Sequence, residues 1–329
     1  MAESSDAIIK QEIIDTLGHR TGDLRLRIFP QSSRDDQIPF EQGGLTFAVN
    51  GVEYGSCDAA WYVRDDRGRA IPVIGLEGTD ALNRKSTGNA QYQRFHHALG
   101  AVKNGLIGVY YLKKGIDKIQ ADLFGMAYYA TQKEPGAYLI FDDLEELREL
   151  LELYDDPEAF NGYINQYLEK MHTIFQKKFA ASYGSNWQTF ADKRSTIIKD
   201  GYIIKYAGRM RRNFTDSSQR AGHIAVGEMF LTKYYFYNKK FIYLFPKMTR
   251  ADLAILDKGK RTDKEWYLLR NEPDVIIKTM DDIRGLPDDI RKRLLMIQDM
   301  PLKGDALRTY SECCKIIVAG LKTDKFTII

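Results

Sequence analysis

Residues 55–111 read GSCDAAWYVRDDRGRAIPVIGLEGTDALNRKSTGNAQYQRFHHALGAVKNGLIGVYY. Ala59 to Arg64 carries the apolar and aromatic residues of a strand, and Asp65 to Arg69 reads as a turn centred on Arg67-Gly68. Ala70 to Glu77, rich in Ile and Val, is a second strand, and the two pair as an antiparallel hairpin. A loop of two or four residues around Arg67-Gly68 sets Asp58 opposite Glu77. Directly opposed residues share a face with Cβ atoms about 5 Å apart. Two carboxylates on one face, at the open end of a hairpin, suit one hard cation bound through oxygen. An odd-length loop shifts the register by one residue and turns one acid away.

Working outward, Ser4, Ser5 or Asp6 caps a helix from Ala7 to Leu17 that ends at Gly18. Ile9, Ile13 and Leu17 form its apolar stripe, and Glu12 flanks it. Residues 21–43 are polar and broken by Pro30, Pro39 and Gly43-Gly44, so they predict loop with a short extended piece at Leu24 to Phe29. Residues 45–54 predict a strand or hairpin turning at Asn50-Gly51. After the polar loop TDALNRKSTGN, the spacing of Tyr92, Phe95, Leu99 and Val102 predicts a helix from Ala90 to Lys103. A buried strand at Leu106 to Leu112, a helix at Ile116 to Ala130, a strand at Ala137 to Phe141 and an acidic helix at Leu144 to Tyr154 follow. The order helix, three strands, helix, strand predicts an α/β fold built on a mixed central sheet.

The chain has 329 residues, 44% of them apolar, enough for a large core, and a net charge of only +3. Any basic surface is therefore local. The three cysteines, Cys57, Cys313 and Cys314, form no CxxC and no disulfide framework, which points to a reducing interior. The N-terminus lacks the basic and apolar regions of a signal peptide, and the longest apolar runs are far short of a membrane span. No HExxH, GxSxG or P-loop pattern occurs, and His96-His97, adjacent on a helix, do not converge on one ion.

The segment around Asp58 and Glu77 resembles the core of the PD-(D/E)xK nuclease superfamily, which includes many type II restriction endonucleases. That family places a metal-binding Asp at the start of one strand and (D/E)xK at the end of the next, within an α-β-β-β-α-β restriction-endonuclease-like core. Here the elements are Asp58 and Glu77-Gly78-Thr79, with Cys57 in place of the usual Pro and Thr79 in place of the usual Lys. The resemblance covers roughly residues 5–142. It implies a Mg²⁺ ion held by Asp58 and Glu77, with Glu12 of the first helix as a third ligand. It also implies hydrolysis of DNA phosphodiesters by a metal-activated water, in the cytoplasm of a prokaryote. Thr79 shares the face of Glu77 and supplies a hydroxyl but no charge. Lys85 in the following loop and Lys103 at the helix end are the candidates for a displaced lysine.

Asp155-Asp156-Pro157 reads as the end of this core, giving a nuclease-like region over 1–156 and an α+β region for DNA recognition and dimerisation over 157–329. In the second region a helix from Pro157 to Phe179 comes first, then a strand pair around Asp200-Gly201. A helix at Ser218 to Tyr237, strands at 241–245, 253–256 and 274–278, a basic helix at 288–298 and a late strand or helix at 316–321 complete it. GRMRRNFTDSSQRAGH, residues 208–223, mixes Arg209, Arg211, Arg212 and Arg220 with Asn213 and Gln219 and runs into a helix start. Arg, Asn and Gln read base edges bidentately, and helix N-termini favour phosphate, so these six residues, with Arg84 and Gln91, are the candidate DNA contacts. Arg291-Lys292-Arg293 reads as an exposed helix face.

The leading expectation is a Mg²⁺-dependent, sequence-specific endonuclease acting on double-stranded DNA as a homodimer, since two-fold symmetry matches a palindrome. Its rivals are another nuclease of the same core, for repair, transposition or modification-dependent defence, a metal-free DNA-binding protein on that fold, and a metabolic enzyme unconnected with nucleic acid.

Overall fold

The hairpin around Arg67-Gly68 forms the middle of a six-stranded mixed sheet. The computed structural model describes residues 5–29, 45–80, 91, 94–113, 116–183, 196–199, 201–206, 229–230, 233–235, 239–245, 249–251, 268, 271–272, 275–296 and 304–322. Contacts divide the mixed α/β chain into two units, Met1–Lys178 and Phe179–Ile329.

The first unit runs α1 (Ser5–Leu17), β1 (Arg20–Thr21), β2 (Leu24–Ile28), β3 (Thr46–Val49), β4 (Val52–Ser56), β5 (Ala59–Arg64), β6 (Ala70–Thr79), α2 (Phe95–Lys103), β7 (Ile107–Leu112), α3 (Ala121–Lys133), β8 (Ala137–Phe141), α4 (Leu144–Glu152) and α5 (Pro157–Tyr183). The sheet order is β1-β2-β5-β6-β7-β8. Its first four strands are antiparallel neighbours, and β6, β7 and β8 are parallel. The short piece at 24–28, read from sequence as a minor extension of a loop, is thus a full member of the central sheet. Its alternation of buried Leu24, Leu26 and Ile28 with half-buried Arg25 and Arg27 is what a sheet with one packed face requires. The segment at 45–56 instead forms a separate two-stranded sheet, β3-β4, that packs on α2.

β7 is buried along its whole length, as expected of a parallel strand covered on both faces. The two sheet faces carry different helices. A Cβ at Gly75 would lie 3.3 Å from Ala101 of α2, whereas one at Gly78 would lie 2.5 Å from Ile9 of α1. Successive strand residues alternate in direction. Odd positions at this end of β6 therefore face α2, and even ones face α1.

The single helix expected at 116–130 is split into a 3₁₀ turn at Ile116–Lys118 and α3. Gln91 causes the break: its Oε1 accepts from the Gln120 N–H (2.9 Å) and its Nε2 donates to the Lys118 carbonyl (3.1 Å). Those backbone groups are then unavailable to a continuous helix. Asp156-Pro157 begins α5. Asp156 Oδ1 accepts from the N–H groups of Glu158 and Ala159, both at 3.1 Å, and Pro157 occupies the first helical position, where no N–H is needed. Most of α5 packs within the first unit: Met171 Sδ receives the Ile140 N–H, and the Tyr167 hydroxyl donates to the Ile140 carbonyl at 3.0 Å. The division between units therefore falls within this helix, whereas sequence reading set it between 156 and 157.

The second unit holds β9 (Thr196–Lys199), β10 (Tyr202–Tyr206), β11 (Lys240–Phe245) and β12 (Val275–Thr279), in the order β12-β11-β10-β9. β9 and β10 are antiparallel, the strand pair expected around Asp200-Gly201, while β10, β11 and β12 are parallel. Helices α6 (Asp288–Met296) and α7 (Gly304–Lys322) follow. Residues 316–321 fall in α7, whose buried Ala306, Tyr310, Cys313 and Ile317 recur at helical spacing and pack on Ile204, Ile242 and Leu244. Cys57, Cys313 and Cys314 are buried free thiols. Arg291 pairs with Asp288 (2.7 Å) and Arg293 with Glu312 (2.8 Å), so this basic cluster is engaged in ion pairs on its own helices. No helix among the described residues is long and apolar enough to cross a membrane. Of the helix expected at Ser218 to Tyr237, residues 229–230 and 233–235 are described and are helical; the rest of it, and the strand expected at 253–256, lie outside the described residues.

Candidate metal centre

Asp58 and Glu77 meet through a register that takes two irregularities to reach. Arg64 pairs with Ala70, leaving five residues in the loop, an odd number. Gly68, at φ 75°, closes it, with its N–H on the Asp65 carbonyl at 2.8 Å. Left alone, that loop would turn one acid away. A bulge corrects it: Tyr62 pairs with Pro72 but Trp61 with Ile74, so Val73 is the extra residue. Beyond the bulge Ala59 pairs with Leu76, and the next positions along are Asp58 and Glu77. The Asp58 N–H donates to the Leu76 carbonyl (2.8 Å), and Asp58 Oδ2 accepts from the Gly78 N–H (2.9 Å). Both carboxylates are buried, at 1% and 0% exposure.

Three basic side chains close on this pair. From α1, Lys10 Nζ lies 3.6 Å from Asp58 Oδ1 and is itself fully buried. From the start of α2, Arg94 Nη1 donates to Glu77 Oε1 at 3.0 Å, and His97 Nδ1 lies 3.0 Å from Oε2. Arg94 and His97 are three residues apart and so share a helix face. Close backbone approach makes both clamps possible. The missing side chain of Gly78 lets Ile9, and with it α1, sit down on β6. Gly55, at φ 118°, has no room for a Cβ, which would lie 2.4 Å from the His97 ring. Gly55→Ala is therefore expected to lower stability by about 1–3 kcal/mol and to displace His97 from Glu77. Denaturant melts with NMR titration of His97 check both; an unchanged melt would show that the ring relaxes freely.

The two carboxyls respond in opposite senses. Burial and the facing Glu77 push Asp58 up to about 8, and the opposing pull of Arg94, Lys10 and the Gly78 N–H is too weak to offset them. Burial also disfavours ionised Glu77, but His97 and Arg94 together outweigh it and hold that carboxyl below its usual range. Burial likewise lifts the Cys57 thiol, with both acids adding to the effect, so this residue is an inert neighbour.

No family model, curated protein or solved structure matches this chain. The functional reading therefore stands on the residues themselves. An all-oxygen donor pair, one member of which repels the other's charge, suits a small hard cation. Among the described residues no three His, Cys, Asp or Glu side chains group as a metal site.

Several expected site residues fall elsewhere. Glu12 pairs with Lys113 at 2.7 Å and hydrogen-bonds Tyr111, and among the described residues it does not group with Asp58 and Glu77. At about 100° per residue Lys10 falls only about 20° beyond the Leu17 edge of the arc of Ile9, Ile13 and Leu17, whereas Glu12 falls about 60° beyond its Ile9 edge. That periodicity was the available signal for Lys10, which sequence reading passed over. Lys103 pairs with Glu134 at 3.1 Å and lies over the Tyr54 ring, which accounts for its charge. Gln91 is buried, with its amide bound to backbone as described, and so cannot read DNA. Thr79 is buried at the end of β6, beside Glu77 in sequence and pointing to the same face by strand alternation two residues on. Arg84, Lys85, Arg209, Arg211, Arg212, Asn213, Gln219 and Arg220 lie outside the described residues.

Proposed function

We propose that this chain is a Mg²⁺-dependent DNA endonuclease of the PD-(D/E)xK kind, with a type II restriction enzyme as its specific form. The observation that carries the reading is the buried Asp58–Glu77 pair at one end of the sheet, with Lys10 held against it. The antiparallel run β2-β5-β6, crossing through α2 to parallel β7, is consistent with the same core. In this reading Lys10 takes the role left open by Thr79. Asp58 and Glu77 would hold the ion, which when bound supplies Lewis-acid stabilisation and an acidified water. Asp58 keeps its orientation through the Gly78 N–H, and Glu77 through His97. Lys10 places a positive charge beside the oxygens where the attacking water must lose its proton. Burial of all three excludes bulk solvent and strengthens each of these interactions. The arginine segment at 208–223 and a homodimer are the proposed sources of DNA grip and of two-strand cutting in a prokaryotic cytoplasm.

Incubation with mixed-sequence DNA and Mg²⁺ tests this. Discrete fragments are expected; random degradation would favour another nuclease of the same core, and no interaction would remove DNA from the reading. Retention without cleavage would favour a non-catalytic DNA-binding protein, a rival supported by the engagement of both Glu77 oxygens by basic side chains. Lys10→Met is expected to cut cleavage by about 10²-fold or more while leaving DNA retention nearly intact, and below about pH 8, where the Asp58 carboxyl keeps its proton and no buried charge is left unpaired, the melting midpoint as well. Normal cleavage by this variant would return the lysine role to another residue.

A further inference from the structure

The two oxygens of Glu77 are held in different ways. His97, on Oε2, is confined: Gly55 lies against one part of its ring and His96 meets it edge-on at 4.5 Å. Arg94, on Oε1, immediately precedes the first residue of α2 and makes no side-chain cap to that helix. Its side chain is 30% exposed, and its bond to the Gly78 carbonyl is long, at 3.4 Å. Both side chains are partly exposed, His97 at 20% and Arg94 at 30%, but the His97 ring is the one packed against by Gly55 and His96.

We propose that Arg94 is a displaceable counter-ion: a divalent cation at Asp58 and Glu77 takes Oε1 from it, and the released guanidinium binds an anionic group of the substrate. The inference rests on the metal reading above and adds the fate of this one side chain. A cation and a guanidinium cannot share one carboxylate oxygen without mutual repulsion. Buried Glu77 needs a positive partner at all times, because an unpaired buried charge is strongly unfavourable. Arg94 supplies that partner until the ion arrives. A planar fork of donors that matches a carboxylate also matches a phosphate, so the released group is suited to the charge that enters with substrate. Cation and anion binding are then coupled, each assisting the other through the position of Arg94.

The test is calorimetric titration of the full chain with Mn²⁺ alone, then with inorganic phosphate in saturating Mn²⁺, for parent, Arg94→Met, Arg94→Lys and Glu77→Gln. Arg94→Met is expected to bind Mn²⁺ about 5- to 100-fold more tightly than parent and to lose the Mn²⁺-dependent gain in phosphate affinity. Arg94→Lys keeps a charge but not the fork. It should bind Mn²⁺ with a smaller gain and show weakened phosphate coupling, and it provides the measurement if the Met variant does not fold. Mn²⁺ binding by Arg94→Met with none by parent would also support displacement. Equal or weaker Mn²⁺ affinity in both Arg94 variants, with binding abolished in Glu77→Gln, would overturn the displacement while leaving the metal site standing. Absence of Mn²⁺ binding in parent and both Arg94 variants would overturn both.

Discussion

Glu77→Gln is expected to abolish Mg²⁺-dependent cleavage while changing the stability of the chelated protein by about 1–2 kcal/mol, whereas Glu77→Ala should cost about 3–5 kcal/mol. The amide removes the negative charge but keeps an oxygen for the Arg94 guanidinium and a polar partner near His97. The methyl group removes both contacts, now at 3.0 Å each, and leaves two basic groups converging on a buried void. The carboxyl is held below its usual range, so its contribution is present above the ordinary Glu pKa and is lost as pH falls through the lowered value. Below that pH the parent and the Gln variant should converge. Denaturant titration in EDTA across pH, beside cleavage assays, separates the two roles. A Gln variant that cuts like the parent would remove Glu77 from the site.

The sequence pattern made the central hairpin legible because β-branched runs and a Gly-containing turn leave few alternatives. The pairing of its two acids was harder to read. The odd loop predicts the wrong register, and only the bulge at Val73 restores the right one. Bulges carry no strong sequence signature, since any residue can be the extra one. The same limit applies to Gln91. A polar residue next to a helical pattern reads as solvent-facing, and nothing local announces that its amide will hold two backbone groups at residues 118 and 120. Lys10 borders the apolar arc by helical phase, and a lysine at such a border is ordinarily placed outside on residue type. Strand 24–28 reads as part of a loop because it follows a turn and precedes a long polar stretch, although its alternation is that of a strand. In each case the deciding partner was distant in sequence, and residue type alone gave the commoner answer.

Asp58→Asn should stabilise the chelated protein at pH 8–9 by about 5 kcal/mol and at the same time abolish cleavage. The folded carboxyl is raised from 3.8 to about 8 by burial and by Glu77. Below about pH 4 the proton is bound in both folded and unfolded chains, and Asp58 is neutral in each. Between about pH 4 and pH 8 the unfolded chain releases that proton while the folded chain keeps it, so stability falls as pH rises. Above about 8 both have released it and the loss is complete. Asn reproduces the neutral state at every pH and still accepts from the Gly78 N–H, so its stability should lack this slope. The gain over parent should therefore be absent near pH 4 and reach its full value above 8. Saturating Mg²⁺ should reverse the comparison, because a bound cation stabilises the ionised parent and has no carboxylate to bind in the variant. Parallel stability curves for the two proteins between pH 4 and 8 would show that Asp58 is ionised throughout. A matched rise in stability on adding Mg²⁺ to both would place the ion elsewhere.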